Sequence, residues 1–551
     1  MTPKAEAGMG LATRVALESR SAVYAWRAGM IALDRPDRAR RILQAMQTLG
    51  QLGAAIAIAG IRHGDRIGVI DELGALSFAE LDARSNALAC ALRERGLQEG
   101  ETVGILCRNH RGFLDASFAA SKLGARALYL NTDFAGPQLL DVTRREDVRL
   151  LIADQEYDEL IAAVQPPLGR LVGWAEDPGG QDTVEGQIEA HWGQAPPTPE
   201  EPGAVVLLTS GTTGTPKGAP RGQQETSLHP IGALLSKVPY RGRESTYVAA
   251  PMFHGLGFTQ MVLSVTLGCT TIVHRRFNPA RVLDTIMRRR PTNLAVVPVM
   301  LQRMVTLLEE HPGRWDTSSL RIVFCSGSQL EAELVRRAQR VLGDVLYNFY
   351  GSTEVAWATF ATPEDLRAAP GTAGRPPYGT IVRLYDDEGR TVGDPDTPGA
   401  LGRIFVGNGF QFDGYTGGGN KEVIDGLMST GDVGHFDSAG RLFVDGRDDD
   451  MIISGGENLF PGEVEELLIT HEAIEEAAVV GVEDSEFGQR LAAYVVPRPG
   501  QALTEDGVRD FVKANLARYK VPRDVHFISE LPRNPTGKVL KRELRAAAAS
   551  G

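Results

Sequence analysis

The sequence predicts an α/β protein: a large N-terminal domain of parallel-type sheets with helices, carrying a β-rich subdomain, followed by a small mobile α+β C-terminal domain. Three observations predict it. Short apolar runs alternate with amphipathic segments through most of the chain, the pattern of parallel strands covered by helices. After about Tyr378 the texture changes to short strands separated by Gly turns. A charged, Gly-initiated segment, Gly446-Arg-Asp-Asp-Asp450, then sets off a last stretch of roughly a hundred residues, enough for an independent lobe. With 551 residues the chain exceeds the size at which single cores stop growing. The expected division is an extension over 1–65, a large domain over 66–446 and a small domain over 447–551.

In chain order, Val23, Tyr24, Trp26, Met30, Ile31 and Leu33 give the extension a ragged apolar face. After Pro36 a helical pattern places Ile42, Met46, Leu49 and Leu52 on one side, with Arg35, Arg38, Arg40 and Arg41 before it. Such a helix either lies on an anionic membrane surface or packs on the main domain. From Arg66 onward, strands are expected at 67–70, 102–107, 127–130, 150–153, 270–273, 294–298 and 322–325, with a helix over 78–94 and helical segments at 282–289 and 331–342. The β-rich part offers strands at 381–385, 402–406 and 442–444. The last domain reads as a helix from Pro461, strands at 477–482 and 491–496, a helix over 505–516 and a strand at 525–528, which is two helices against a three-stranded sheet.

The totals bound the partners. A formal charge of -12 and a pI near 5.5 argue against nucleic acid, whose phosphate backbone calls for a basic face. Cys90, Cys107, Cys269 and Cys325 are scattered in or beside apolar runs without a CxxC pair, as expected of reduced core residues. The beginning lacks a signal-peptide layout, and no run of eighteen or more apolar residues occurs. The expectation is a cytoplasmic chain, with peripheral contact at the inner membrane surface left open to the extension.

The stretch Thr209-Ser-Gly-Thr-Thr-Gly-Thr-Pro-Lys-Gly218 follows the apolar run 204–208. It offers backbone N–H groups, hydroxyls and one ammonium to a phosphate chain. Only nine of the 58 basic residues are Lys, and a compact ammonium suits a phosphate as a point charge. The spacing is not that of a Walker A loop, since Pro216 precedes the Lys and Gly218 follows it. In Asn348-Phe-Tyr-Gly-Ser-Thr-Glu354, hydroxyls and a carboxylate follow a strand, and Glu354 suits a hard cation such as Mg²⁺. Asp432, in Ser429-Thr-Gly-Asp-Val433, can accept both hydroxyls of a ribose. Arg533-Asn-Pro-Thr-Gly-Lys-Val539 is a Gly-Lys turn near the end of the chain.

With these motifs in this order over about 66–544, the sequence resembles the adenylate-forming superfamily of acyl-CoA synthetases, aryl-CoA ligases, luciferases and adenylation domains. Its segment from Asp450 to Pro461 looks like the CoA-ligase version, and the whole is similar to bacterial fatty-acyl-CoA synthetases. The resemblance implies an acid–thiol ligase using ATP, Mg²⁺ and coenzyme A: a carboxylate becomes an acyl-adenylate with release of pyrophosphate, and the CoA thiol then displaces AMP. It implies that Thr209, Ser210, Gly211, Thr212, Thr213, Gly214 and Lys217 hold the phosphates, with Thr209 and Glu354 near the metal. Gly327, Ser328 and Gln329 would flank adenine with Asn348, Phe349 and Tyr350, beside Gly351, Ser352 and Thr353. Asp432 and Arg447 would hold the ribose, and Lys538 would bridge the α-phosphate and the attacking carboxylate. For thioester formation the lobe would turn about Asp449 and bring in Gly455 and Gly456, where pantetheine passes close to backbone. His254 matches a position between the acyl site and the thiol tunnel, as a gate or a base.

The acyl pocket is expected from 253–260, 297–301 and the Ser326 and Gly351 backbones, an apolar lining for a fatty acid or other apolar carboxylic acid. An aryl-CoA ligase and transfer to a carrier protein stand as alternatives. A nucleotide-binding module without catalysis would lack Lys538 or Glu354, and both are present. One departure stands out: where the family carries an Asn-Pro element and an aromatic before Thr-Gly-Asp, this chain has Thr416-Gly-Gly-Gly-Asn420 and Asp425-Gly-Leu-Met-Ser429.

Overall fold

The computed structural model describes residues 11–176, 182–209, 217–220, 227–352, 354–398, 401–408, 421–448, 452–454, 457–459, 461–484, 488–516, 520–534 and 537–550. Two sheets build the large domain. An eight-stranded sheet runs in the order Thr359–Ala361, Leu346–Tyr350, Ile322–Cys325, Asn293–Val296, Ser245–Val248, Thr270–Ile272, Ile67–Asp71 and Gly74–Ser77. Its inner pairs are parallel and both edge pairs are antiparallel. A six-stranded sheet runs Arg170–Val172, Val148–Ala153, Thr102–Leu106, Arg126–Tyr129, Ala204–Thr209, Lys217–Pro220. Helices pack against both. In Arg111–Lys122 every residue is buried, and Phe78, Leu81, Leu88 and Leu92 join Phe113 and Phe118 in one core.

Local chemistry explains the sharpest boundary. The helix Phe78–Glu94 begins where expected because Ser77 and Glu80 form a reciprocal capping box, at 3.2 and 2.7 Å, which satisfies two otherwise orphaned N–H groups. Buried charge on these helices is paired: Arg84 holds Asp115 at 2.8 Å and Glu185 at 2.5 Å, and Lys122 holds Asp82 at 2.6 Å. Cys107, Cys269 and Cys325 are buried, Cys90 is partly covered, and all four are free thiols.

The first helices are built into the large domain. Leu52, Ile56 and Ala59 of Gly50–His63 lie in the same core as Phe78 and Phe113, so packing rather than a membrane covers this apolar run. The helix Leu11–Arg27 lies along His229–Lys237. Glu18 accepts from Ser227 Oγ at 2.5 Å and Leu228 N at 3.0 Å, the Ser21 and Tyr378 hydroxyls meet at 2.9 Å, and Arg20 sits over the Tyr378 ring. A Cβ at Gly232 would run into Ser21. Met46 of Pro36–Thr48, expected on the apolar side, is exposed, while Ile42 and Ala45 are buried. Trp26, Leu33 and Leu43 are also exposed. Among the described residues no helix is long and apolar enough to cross a membrane.

The β-rich part is a six-stranded antiparallel sheet of Thr391–Gly393, Ile381–Tyr385, Gly402–Gly407, Leu427–Phe436, Val423–Ile424 and Leu442–Arg447. The last part differs from the three strands and two helices expected. Its sheet has five strands, because Ile452–Ser454 and Glu457–Leu459 form a hairpin that joins Gly488–Pro497, Ile474–Asp484 and Asp524–Phe527. A third helix, Lys541–Ser550, buries Leu544 against Tyr494 and Val496. The hairpin strands are three residues each, and the third helix is Ala-rich with one strong apolar anchor, so neither shows a clear period.

Candidate active site

The site forms where the strand Leu346–Tyr350 meets the β-rich sheet. Alternation along the strand sends Tyr350 toward Asp432, and its hydroxyl donates to Oδ2 at 2.6 Å. The antiparallel register of Leu427–Phe436 with Leu442–Arg447 sets Asp432 opposite Arg447, whose Nη1 lies 3.4 Å from Oδ1. Ser429 and Thr430 are buried, and their hydroxyls accept from the Gly431 and Asp432 N–H groups at 3.1 Å, which fixes the turn. Burial pushes the Asp432 carboxyl above its ordinary value, against the opposing pull of Arg447, the Tyr350 hydrogen bond, Lys538 and Lys421.

The same alternation turns Phe349 the other way, into a ring cluster with Phe324 at 5.7 Å and Phe360 at 5.2 Å. Its ring is therefore on the strand face opposite Tyr350. Asn348 is buried and donates to the Thr372 carbonyl at 3.2 Å. Gly327, at φ +105°, and Ser328 follow the neighbouring strand Ile322–Cys325. The Gln329 amide instead reaches the C-terminal domain, donating to Glu466 at 3.1 Å.

Beyond Tyr350 the chain turns sharply. A Cβ at Gly351 would collide with the Ala356 carbonyl, and Ala356 itself holds φ +62°. Ser352 Oγ accepts from the N–H groups of Glu354 and Val355 at 3.3 Å each. Asn408 donates to the Val355 and Trp357 carbonyls at 2.8 and 2.7 Å. The Glu354 carboxylate is thus carried by a braced turn. Thr209 ends the strand Ala204–Thr209 and stands opposite Lys217 in an antiparallel pair. Ser210, Gly211, Thr212, Thr213, Gly214, Thr353, Asp449, Gly455 and Gly456 lie outside the described residues. The oxygen donors of Thr209 and Glu354 are of the type a Mg²⁺ ion takes, and the cations around Asp432 are of the type a nucleotide phosphate takes.

The C-terminal Gly-Lys turn lies against the large domain. Asn534 N donates to the Lys538 carbonyl and Lys538 N to Asn534 Oδ1, each at 2.9 Å, and Arg533 Nη1 closes on the Gly537 carbonyl at 2.7 Å. Gly537 holds φ +77°, and a Cβ there would drive into Val299 Cγ1, so only glycine allows this approach. Lys538 is exposed and its charge acts on Asp432. His254 occupies the N-cap position of the helix Gly255–Thr266 without a side-chain cap hydrogen bond, and its ring lies tilted at 48° to Phe253, 4.5 Å between centroids. Burial pushes its imidazole down to about 4, which keeps it neutral near pH 7. Phe258 lies 5.4 Å from the Tyr129 ring.

Sequence reasoning passed over three groups near this region. Lys421 stands beside Gly431. Glu331 lies between the large domain and the helix Pro461–Ile469, where burial, then Glu465, Glu466 and Glu476, push its carboxyl up to about 8 against the pull of Arg533. Cys107, His110 and Asp154 cluster with metal-ligand spacing, but His110 donates to Asp154 at 2.8 Å and accepts from Gly112 N at 3.0 Å, so its ring is committed to the helix cap.

The family model for AMP-binding enzymes matches residues 52–416, and that for the AMP-binding enzyme C-terminal domain matches 463–538. A feruloyl-CoA synthase from an Amycolatopsis species is 35% identical over 88% of this chain and 95% of its own length. An indoleacetate–CoA ligase of Aromatoleum aromaticum is 33% identical over 86% and 93%. Among solved structures, the anthranilate CoA ligase AuaEII in complex with anthranoyl-AMP superposes with a TM-score of 0.80 at 26% identity, covering 90% of this chain and 98% of that one. The o-succinylbenzoate CoA synthetase of Bacillus subtilis, in complex with its acyl-adenylate, gives 0.76 at 28%, covering 89% and 97%. Matched over both its parts and in the order of its motifs, the chain belongs to the adenylate-forming family of AMP-binding enzymes.

Proposed function

We propose that the chain is an AMP-forming CoA ligase for a carboxylic acid bearing an aromatic ring. The observation that carries the choice of acid is the company it keeps: feruloyl-, indoleacetate- and 2-succinylbenzoate-CoA ligases at 32 to 35% identity over nearly the full chain. The apolar acyl-side residues Phe258, Val299 and Met300 suit such a ring. A fatty acid is the second reading, supported by the same apolar lining and by a 30% identical fatty acid–carrier-protein ligase of Streptomyces coeruleorubidus.

In this reading the substrate carboxylate attacks the α-phosphorus of ATP, and pyrophosphate leaves. Two anions must approach, a repulsion of about 4 kcal/mol at 4 Å in a protein-like medium. Lys538, carried in by the Gly537 turn, offsets it where the bond forms. Asp432 and Arg447 hold the ribose, and Tyr350 steadies Asp432. Mg²⁺, held through Thr209 and Glu354, would supply further charge neutralisation at the leaving phosphates. The lobe placement with Gly537 against Val299 suits this first step. The CoA thiol then attacks the acyl carbon and AMP leaves, with neutral His254 and the Gly455-Gly456 segment beside the thiol path.

The test is acid-dependent pyrophosphate release with ATP and Mg²⁺, with and without CoA, across ferulate, indoleacetate, 2-succinylbenzoate and anthranilate against straight-chain acids. Thioester formation led by the ring-bearing acids is expected. A response that climbs with alkyl length would move the function to the fatty acid reading, and pyrophosphate without thioester would point to a carrier protein.

A further inference from the structure

The departure between Gly414 and Thr430 has a geometric consequence. Asp425 and Gly426 both hold positive φ, +51° and +78°, the conformation that makes a tight two-residue hairpin. Val423 pairs with Met428 and Ile424 with Leu427, and Ser429 N donates to the Glu422 carbonyl at 2.9 Å. This register brings Lys421 back alongside Thr430 and Gly431. Period-two alternation separates it from Glu422, which pairs with Arg403. A Cβ built on Gly431 would lie 3.4 Å from Lys421 Nζ and 3.2 Å from Arg447 Nη2, so both cationic heads gather over one glycine. Asp432 beside them already has Tyr350 on one oxygen and Arg447 near the other. Arg447, Lys538 and Lys421 together set three positive charges about this one carboxylate.

We propose that Lys421 is a nucleotide-binding residue that takes a phosphate oxygen of ATP, and then of the acyl-adenylate, alongside Arg447. This rests on reading the Asp432 site as the nucleotide pocket. Lys421 shares a hairpin with Asp432, whereas Lys538 belongs to the C-terminal domain. Lys421 therefore keeps its place on the phosphate whichever way that domain turns, and serves both half-reactions where Lys538 serves one. Two cationic heads gathered over Gly431 beside Asp432 suit an anionic neighbour of the ribose, and an ammonium meets phosphate oxygens as a point charge.

The test compares AMP with adenosine by calorimetry on the full chain. Lys421→Ala should weaken AMP about tenfold, the scale of one charge-assisted hydrogen bond, and leave adenosine within about twofold. Lys421→Arg should retain most of the AMP affinity. Lys421→Gln, which keeps a donor and loses the charge, should repeat the AMP loss and guards against an effect of misfolding. The KM for supplied acyl-adenylate in thioester formation should rise in Lys421→Ala and stay unchanged in Lys538→Ala. Equal loss of AMP and adenosine, or loss of neither, overturns the proposal while leaving the nucleotide site standing. A wild-type chain that binds neither AMP nor ATP overturns the site reading itself, and this proposal with it.

Discussion

Asp432 and Glu331 are both largely enclosed carboxyls with raised proton affinity, yet they sit in opposite company. Asp432 has a hydroxyl and three cations about it. Glu331 has Glu465, Glu466 and Glu476 about it, with Arg533 as the opposing charge, and Arg533 is itself bound to Glu476 at 3.0 Å. The first arrangement borrows one of its cations, Lys538, from the C-terminal domain and favours an anionic ligand. The second spans two domains and favours a proton whenever they are together. One region is built to hold a ligand, the other to let go.

The strongest way to break this comparison is at Lys538, the cation that the C-terminal domain lends to Asp432. Lys538→Ala should lower adenylation about 10²- to 10³-fold, the scale for removing one group that stabilises transition-state charge, and spare thioester formation from supplied acyl-AMP. Equal loss in both steps would deny the separation of roles. Asp432→Asn should raise the KM for ATP about 10- to 100-fold, as expected for losing hydrogen bonds to a charged group, with little change in KM for CoA. Gly537→Ala should slow adenylation about tenfold through overpacking against Val299, and adding Val299→Ala should restore part of it. Additive losses in the double variant would show that the turn does not seat there.

A pH-dependent effect sharpens the Glu331 side. Its carboxyl holds a proton up to about pH 8 in the docked arrangement, against an ordinary 4.5 once released. Docking thus takes up a proton, and it weakens as pH rises from the carboxylate range through about 8. The ratio of adenylation to thioester formation should fall, by up to about 25-fold where it follows the docking constant, between pH 6.5 and 8.5 in the wild type, and Glu331→Gln should flatten it. The smallest effect is at His254. With its imidazole down at about 4, His254→Asn should leave the shape of the thioester step's pH profile between 6 and 8 unchanged, and a lost inflection there would restore the base role.

Much of this was legible in sequence because local rules acted alone. The strands at 322–325 and 381–385 and the capped helix at 78–94 agree with the structure to the residue. The Tyr350, Asp432 and Arg447 motifs, far apart in the chain, converge on one point. What escaped needed tertiary knowledge. Phe349 stands in a motif with Tyr350, but strand alternation splits them between faces. Lys421 lies in a stretch marked only as irregular, and its position follows from a hairpin register that no composition reveals. Glu331 looks like any helix-leading acid until a second domain closes over it. The five-stranded C-terminal sheet was hidden because its two added strands are three residues each, too short to show a period.

The family match begins at residue 52, yet the helix Leu11–Arg27 is fastened through Glu18, Arg20 and Ser21 to Ser227 and Tyr378, and Gly232 has no side chain where Ser21 comes close. Such fitting makes the helix part of the surface it covers. Without it, the Ser227 and Tyr378 hydroxyls would lose these partners and the side of His229–Lys237 that it covers would face water. The first helix and that surface therefore stand or fall together.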